Sequence, residues 1–334
     1  MSFFAILFAL LIEQVRPRAR AHPIHSGLRS WARWVARNFD AGKSHHGWIA
    51  WGLAVVGPAI AALAIHVVLI LYVGWVFAML WSVAVLYITL GFRQFSHHFT
   101  NIRDALDAGD EGLARELLAQ WQQVDASELP RSEIVRHVIE YSVLAAHRHV
   151  FGVLGWFSVL AAFGFGPAGA VLYRMSEFAC RHWNHADRIS DHPISPALLS
   201  VASRSWAFID WLPSRVTALG FAVVGSFEEA IDCWRNYAQR FPNDNDGVIL
   251  AATSGAVNVR LGGEALKTAV FAPGQTGGFG AAGLQPDATL DSSVSTPGRE
   301  AEVGHLRSVV GLVWRSVVLW MVLLALLTLA RLLG

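Results

Sequence analysis

The chain has 334 residues, of which 54% are hydrophobic and 15% are charged, and its formal net charge is +1. This composition is too apolar for an ordinary soluble domain of this size, so part of the surface must face lipid. Cys180 and Cys233 lack the spacing of a metal-binding pair, which excludes a disulfide scaffold or a zinc finger as the basis of the fold.

The first apolar segment covers residues 1–13. No basic residue precedes the run MSFFAILFALLI, and no small-residue cleavage site follows it. A removable signal peptide needs both features. We therefore expect a short first span or anchor that is retained.

Residues 14–47 form a basic segment in which Asp40 is the single acid. The basic residues are Arg16, Arg18, Arg20, Arg29, Arg33, Arg37 and Lys43. Because this segment lies between two apolar stretches, the positive-inside rule explains it better than nucleic-acid binding does. We expect a cytoplasmic loop and no nucleic-acid partner.

Residues 47–92 contain no Lys, Arg, Asp or Glu. A bilayer core is about 30 Å thick and a helix rises about 1.5 Å per residue, so this run is too long for one span and fits two. The sequence predicts a two-span hairpin with its bend near Gly74.

Residues 93–149 are charged, with apolar residues at helical spacings of three, four and seven. We expect a pair of amphipathic cytoplasmic helices in this segment. The break between them is predicted at Leu129-Pro130.

Residues 151–225 are apolar but interrupted. Glycines surround Pro167, so one helix should end near Phe165 and the next should begin at Pro167. Each half of 151–171 is too short to span alone, which favours a re-entrant pair or a kinked span. A weaker apolar segment, 206–225, carries charged residues that would face a protein interior or a polar cavity.

The C-terminal part combines a linker with a final span. Residues 262–304 are rich in Gly, Ala, Ser, Thr and Pro and predict a flexible linker. Residues 308–334 are apolar and predict a C-terminal span. The predicted fold over residues 1–334 is one all-α integral membrane domain, with about five transmembrane or re-entrant helices and a cytoplasmic helical segment.

Two polar groups invite a functional interpretation. Arg174 and Glu177 share one helix face at positions i and i+3, as a local ion pair or as an anion-binding arginine positioned by the acid. The Asn/Asp cluster 243–246 is first a helix cap and second a Mg²⁺ or phosphate site. The fourteen histidines reproduce no metal-binding spacing, so we predict no bound metal.

Several short motifs are spread over most of the chain. They are His22-Pro23; the run Asp125, Leu129, Glu133, Arg136 and Glu140; Gly-Pro-Ala-Gly-Ala followed by Tyr173-Arg174; residues 211–218; and Asn245 with Val259-Arg260-Leu261-Gly262-Gly263. Together they resemble the CobD/CbiB family of cobalamin-biosynthesis membrane proteins and its relative AmpE, a membrane protein linked to β-lactamase induction.

The resemblance implies a multi-pass protein of the bacterial inner membrane, in contact with lipid, that joins the corrinoid adenosylcobyric acid to an aminopropanol or its phosphate in an ATP-dependent amide-forming step. ATP and Mg²⁺ are the implied cofactors. The implied catalytic residues are Asp125, Glu140, Arg174 and Glu177, and the implied substrate-binding residues are His22, Arg215, Asn245 and Arg260.

The chain also departs from the biosynthetic pattern. Leu144-Ala145 and Arg148 stand where the family has Glu-Asn and Asp, and Glu177 stands where it has Asn. The loss of acids and of an amide removes groups that would hold Mg²⁺ or orient a nucleophile. The central His-Arg-His is closer to AmpE, so a non-enzymatic membrane regulator or sensor is the alternative function.

Overall fold

A computed structural model describes residues 2–15, 23–122, 125–189, 194–263 and 295–333, and every regular element in these ranges is a helix. The helices are α1 (Ser2–Val15), α2 (Pro23–Phe39), α3 (Ser44–Val68), α4 (Trp75–Thr89), α5 (Phe92–Asp107), α6 (Glu111–Gln122), α7 (Arg131–Ala146), α8 (Gly152–Ala162), α9 (Ala168–Ile189), α10 (Pro196–Val224), α11 (Phe227–Tyr237), α12 (Asp244–Val257) and α13 (Val303–Leu333).

Four continuous helices are long and apolar enough to cross a bilayer. They cover Ser44–Val73, Arg131–Ala162, Pro196–Val224 and Val303–Ala330. The helices Phe3–Glu13 and Trp75–Thr89 are apolar but shorter. The chain is therefore an all-α membrane protein, as the sequence predicts.

The predicted hairpin bends at Gly74. A π-helical turn extends α3 to Val73, and Gly74 then adopts φ 118°, which favours a residue without Cβ. The Trp81 indole N–H donates to the Ala62 carbonyl at 3.1 Å and ties the two arms together. The first arm has full spanning length, whereas α4 has only 15 residues.

The structure adds detail to the predicted loop 14–47 and differs from the prediction for residues 93–149. Residues 23–39 within the loop are helical. Three helices rather than two occupy 93–149. The break at Pro130 is as expected, since Pro130 caps α7. A π-helical turn at His147–Phe151 then joins α7 to α8 as one helix of 32 residues. The first half of 151–171 is therefore the end of a helix of spanning length and not a separate short helix.

The Gly-Pro break between α8 and α9 lies where the sequence places it. Gly166 has φ 55°, and a Cβ there would lie 2.4 Å from the His66 ring. A Cβ on Gly169 would lie 2.1 Å from the Trp156 carbonyl oxygen. These close approaches require glycine at both positions.

The chain divides into two compact units. Unit 1 comprises 1–91, 148–213 and 328–334, and unit 2 comprises 92–147 and 214–327. Fully buried aromatic side chains form the core of unit 1, among them Trp183, Tyr173 and Phe157. Unit 2 is centred on aliphatic residues of α5, α6 and α7, namely Ile102, Leu106, Leu118, Ile134 and Ile139.

The predicted linker 262–304 is described only at its ends, because residues 264–294 lie outside the described ranges. At these ends Val259 and Arg299 form an isolated parallel β-bridge. Both ends of the segment are therefore fixed within unit 2.

Candidate functional site

One face of α7 carries a buried charged network in unit 2. Arg136 and His137 are adjacent, and each lies three or four residues from both Glu133 and Glu140, which places the four on the same side of the helix. The side chains of Arg136, His137 and Glu140 are 4%, 1% and 0% exposed. Charges buried this deeply require partners, and the network supplies them.

Glu140 is the centre of this network. Its Oε1 accepts the Gly262 backbone N–H at 2.8 Å and lies 3.0 Å from Arg136 Nη1. Its Oε2 lies 3.2 Å from the same guanidinium nitrogen and 3.4 Å from His137 Nδ1. Since both oxygens are engaged, Glu140 is suited to holding the Gly262 loop in place rather than to accepting a proton.

His137 contacts both charged neighbours on its helix face. Arg136 Nη2 lies 2.9 Å from His137 Nε2, and a guanidinium can only donate, so Nε2 is the acceptor of this hydrogen bond. The other ring nitrogen, Nδ1, faces Glu140. Arg136 also donates to Glu133 Oε2 at 2.5 Å, so one cation links two carboxylates and an imidazole.

The loop that Glu140 holds is the Arg-Leu-Gly-Gly motif. Gly262 and Gly263 have φ angles of 82° and 124°, which only glycine adopts without strain. Thr296 secures the other side of the loop, because its Oγ1 accepts the Leu261 N–H at 2.8 Å and the Ser254 hydroxyl at 2.7 Å. The loop is therefore fixed from both sides.

A second polar pair in unit 2 joins α10 to the start of α12. Arg215 Nη1 donates to Asn245 Oδ1 at 2.6 Å and to Ser214 Oγ at 3.1 Å. Asn243 caps α12 by accepting the Asn245 N–H at 3.3 Å. The Asn/Asp cluster thus acts as the helix cap that the sequence predicts, and it also orients a guanidinium.

The two polar groups of unit 2 lie at opposite ends of α12. Asn245 is in the first turn of this helix, whereas the Gly262 loop follows Asn258, which terminates the helix in a left-handed conformation. His147 lies farther along the α7 helix than Glu140, with its Nδ1 2.9 Å from Thr217 Oγ1. Buried polar groups therefore continue beyond the Glu140 network within unit 2.

Unit 1 contains the pair of Arg174 and Glu177 on α9. Arg174 Nη1 lies 2.8 Å from Glu177 Oε2, and Arg181 Nε lies 3.2 Å from Glu177 Oε1. Burial raises the pKa of Glu177, but the positive charges of Arg181, Arg174 and Arg148 outweigh burial and hold it below the ordinary value. Glu177 is therefore a buried anion surrounded by cations. This geometry fits both interpretations of the pair, a local ion pair and an anion-binding arginine positioned by the acid.

The remaining predicted site residues are Asp125, Arg260 and His22. Asp125 is exposed between α6 and α7, where its Oδ1 accepts from Ser127 N and Oγ at 3.0 and 2.7 Å. Arg260 has an exposed side chain, and its N–H donates to the Arg299 carbonyl at 2.7 Å. His22 lies outside the described residues.

The implied Mg²⁺ does not fit the described residues. They contain no group of three or more His, Cys, Asp or Glu that could hold a metal ion. The buried carboxylates Glu140 and Glu177 are both engaged by arginines, which compete with a cation for the same oxygens. The described residues therefore do not form a site for a resident metal ion.

Sequence reasoning did not single out Arg136, His137 or Thr296 as site residues. The first two share their helix face with Glu140 at i, i+3 and i+4 spacing, so a search for charged neighbours of Glu140 would have found them. Thr296 gives no such signal, because it lies more than a hundred residues after Glu140 and meets the loop only in the fold.

Comparison with known proteins identifies relatives over most of the chain. The family model described as CobD/Cbib protein matches residues 2–278. A protein of Stutzerimonas stutzeri, named cobalamin biosynthesis protein CobD, is 28% identical over 328 residues, which cover 96% of both chains.

Two further relatives match about half of their length. A protein of the same name from Chromobacterium violaceum is 34% identical over 183 residues, 55% of each chain. Another from Leptospira interrogans is 28% identical over 203 residues, 59% of this chain and 61% of its own. No solved structure matches the chain significantly.

Proposed function

Since the chain belongs to the CobD/Cbib protein family, we propose that it catalyses the amide-forming step of cobalamin biosynthesis. In this reaction the carboxylate of adenosylcobyric acid takes the γ-phosphoryl group of ATP, which gives an acyl phosphate and ADP. The amine of an aminopropanol or its phosphate then attacks the acyl carbon, loses a proton and expels inorganic phosphate. The products are adenosylcobinamide or its phosphate, ADP and inorganic phosphate.

The observation that carries this proposal is the relative that aligns over 96% of both chains and is named for cobalamin biosynthesis. The geometry of unit 2 supports the proposal. A buried charged network positions the Arg-Leu-Gly-Gly loop at one end of α12, and Arg215 is oriented by Asn245 at the other end.

The contacts within unit 2 indicate a role for each of four charged residues. Glu140 and Arg136 act as positioning residues that hold the Gly262 loop. Arg215 and Arg260 supply the cationic groups that an activated carboxyl or a phosphate needs, since charge develops on those oxygens during acyl transfer. Any Mg²⁺ in this scheme arrives with the ATP phosphates as part of the substrate.

We further propose that the protein crosses the bacterial inner membrane several times. Four helices of spanning length and a basic segment beside the first of them support this topology. The corrinoid and nucleotide substrates would then be reached from the cytoplasmic side.

A non-enzymatic regulator of the AmpE type is the second candidate. It is favoured by Arg148, which stands where the biosynthetic pattern has an acid and contributes positive charge around Glu177. A regulator would bind a ligand through the same cationic groups without turnover.

Complementation tests the proposal. A bacterial strain that lacks its cobinamide-forming enzyme is supplied with cobyric acid, and growth that depends on cobalamin is scored. We expect the wild-type chain to restore growth, and Arg260→Ala and Arg215→Ala to reduce it strongly.

Membrane levels of each variant are measured by immunoblot as the control for folding. Normal growth by both arginine variants would show that the proposed site is wrong. Absence of growth with wild-type protein present in the membrane would favour the regulator.

A further inference from the structure

Helix α2 has one buried face and one cationic face. Ala32 and Val35 are 1% and 0% exposed, whereas Arg29, Arg33 and Arg37 are exposed. The three arginines recur every four residues and therefore form one stripe along the helix. A helix with this pattern is suited to lie along a boundary between apolar and polar surroundings.

Exposed aromatic side chains accompany the arginine stripe. Trp34 is 48% exposed and stacks on Trp31 with ring centroids 5.3 Å apart. Phe39 meets Trp34 edge-on at 5.7 Å. Tryptophan beside arginine is typical of the headgroup region of a membrane, where the ring is partly apolar and the cation meets phosphate.

The contacts at the C-terminal end of α2 hold that end beside the first turns of two helices of spanning length. Ser195 donates to Asp40 from its N–H at 2.9 Å and from its hydroxyl at 2.5 Å. A Cβ on Gly47 would lie 3.3 Å from the Ala197 carbonyl oxygen. The first turns of α3 and α10, both of spanning length, are thus fastened together where α2 ends.

The positive charge of the stripe extends onto α9. The Trp183 indole N–H donates to the Ala32 carbonyl at 3.3 Å, so α9 packs against α2. Burial and the nearby charges of Arg33, Arg181, His185 and Arg29 lower the pKa of His182 to about 4. Arg29 and Arg33 therefore stand in a region where positive charge accumulates.

We propose that the stripe of Arg29, Arg33 and Arg37 on α2 binds the headgroups of anionic phospholipids. The phosphodiester of phosphatidylglycerol offers the guanidinium groups charge-assisted hydrogen bonds, and the lipid tails meet the exposed aromatic rings. Phosphatidylcholine carries its own cation beside the phosphate and gains less. The site selects anionic lipid at the surface from which α3 and α10 enter the bilayer.

The test uses the full chain in nanodiscs that mix phosphatidylcholine with a minority of phosphatidylglycerol. Native mass spectrometry of the released protein gives the ratio of the two lipids that remain bound. Each arginine near an anionic surface strengthens association by roughly fivefold, so the triple variant R29Q/R33Q/R37Q should lose at least about tenfold in this ratio. The matched control R235Q/R240Q/R299Q removes the same charge from exposed arginines of unit 2 that lie outside the spanning helices, and it should keep the ratio of the wild type.

Two further measurements keep the test decisive if the triple variant does not fold. The charge-conserving variant R29K/R33K/R37K should keep the selectivity, and high salt should reduce it in the wild-type protein because exposed charges are screened. A ratio that is insensitive to salt, or equal in the wild type and the glutamine variant, overturns the proposal.

A free anion is the other possible ligand for the same chemistry. Equilibrium dialysis of inorganic phosphate against protein in pure phosphatidylcholine nanodiscs measures it directly. Phosphate binding that the glutamine variant loses, without any lipid selectivity in mixed nanodiscs, would overturn the lipid assignment. These outcomes are separate from the amide-forming function, since none of them depends on turnover.

Discussion

Unit 1 and unit 2 each bury one glutamate among arginines, but the two sites differ in charge balance. Glu140 in unit 2 contacts a single arginine, a histidine and a backbone N–H. Glu177 in unit 1 contacts Arg174 and Arg181, and Arg148 also acts on it. In unit 2, Glu140 holds the Gly262 loop in place. In unit 1, the positive charges around Glu177 outnumber its single negative charge.

An Arg–Glu pair at helical spacing therefore does not define a function by itself. The exposure of the cations separates the two cases. Arg136 is 4% exposed and depends on its carboxylates, while Arg174 and Arg181 are 16% and 19% exposed and can reach water. Removal of the acid should therefore cost more in unit 2 than in unit 1.

The largest effect is expected for Glu140→Gln. This change leaves Glu133 as the one carboxylate beside the buried Arg136 guanidinium, and breaking a buried ion pair costs about 3–5 kcal/mol. The midpoint of thermal unfolding, measured in detergent, should fall strongly. Cobinamide formation should also be lost, because the Gly262 loop loses the carboxylate that holds it in place.

The double variant Arg136→Met, Glu140→Leu is the control for this prediction. Replacing both partners by apolar groups of similar volume is often close to neutral, so it should be more stable than the single variant. Equal stability of wild type and Glu140→Gln would contradict the description of Glu140 as the anchor of the loop.

Thr296→Val tests the other side of the same loop. The valine keeps the shape but removes the hydroxyl that accepts from Leu261 and Ser254, and an unsatisfied buried donor costs about 1–3 kcal/mol. We expect a moderate loss of stability, read from chemical denaturation, and a larger proportional loss of activity. If Thr296→Val had the activity of the wild type at saturating substrate concentrations, the loop would not be part of the site.

Glu177→Gln should have a smaller effect, about 1–2 kcal/mol, because its arginine partners remain partly hydrated. The sign of its pH dependence follows from its lowered pKa. Stability from Glu177 is present above the ordinary glutamate pKa of about 4.3 and is lost as the pH falls through the folded-state value. The wild-type protein should therefore lose more stability than the variant below about pH 4.

A comparison of the two unfolding curves between neutral and acidic pH measures this slope. A steeper acid loss in the variant than in the wild type would reverse the assignment of Glu177 as a buried anion. An effect of Glu177→Gln at neutral pH as large as that of Glu140→Gln would remove the contrast between the units.

The smallest effect is expected for Ser195→Ala, which removes an uncharged cap. The Leu198 N–H donates to Ser195 Oγ at 3.1 Å, and the same hydroxyl donates to Asp40 at 2.5 Å. Asp40 keeps the Ser195 N–H in the variant, so the loss should stay close to that of a cap, about 1 kcal/mol. Ser195→Thr keeps the hydroxyl and should retain most of the stability. A loss for Ser195→Ala larger than that for Glu177→Gln would show that the capping contact outweighs the charged cluster in unit 1.

Local signals in the sequence account for much of the fold. Gly74, Pro130 and the Gly-Pro break at 166–167 punctuate the helices where backbone rules place them. The extension of α7 into α8 was not predicted, because Arg136, His137 and Glu140 look like a solvated helix face until their mutual pairing is known. In the structure they neutralise one another inside a helix of spanning length.

The candidate site was predictable only in part. The Arg174–Glu177 pair follows from helical spacing, and Glu140 and Asn245 follow from the family motifs. The contact of Arg215 with Asn245 joins residues thirty positions apart, and the contact of Glu140 with the Gly262 N–H joins residues more than a hundred positions apart. No local pattern encodes such contacts, since they depend on how the helices pack.

The most direct test of the account is product formation by the purified protein in nanodiscs. Adenosylcobyric acid, ATP with Mg²⁺, and aminopropanol or its phosphate are supplied, and mass spectrometry follows the corrinoid. We expect the wild-type protein to form the amide in an ATP-dependent reaction and Glu140→Gln to form little or none. A folded wild-type protein that leaves adenosylcobyric acid unchanged with both amines would contradict the proposed catalytic function.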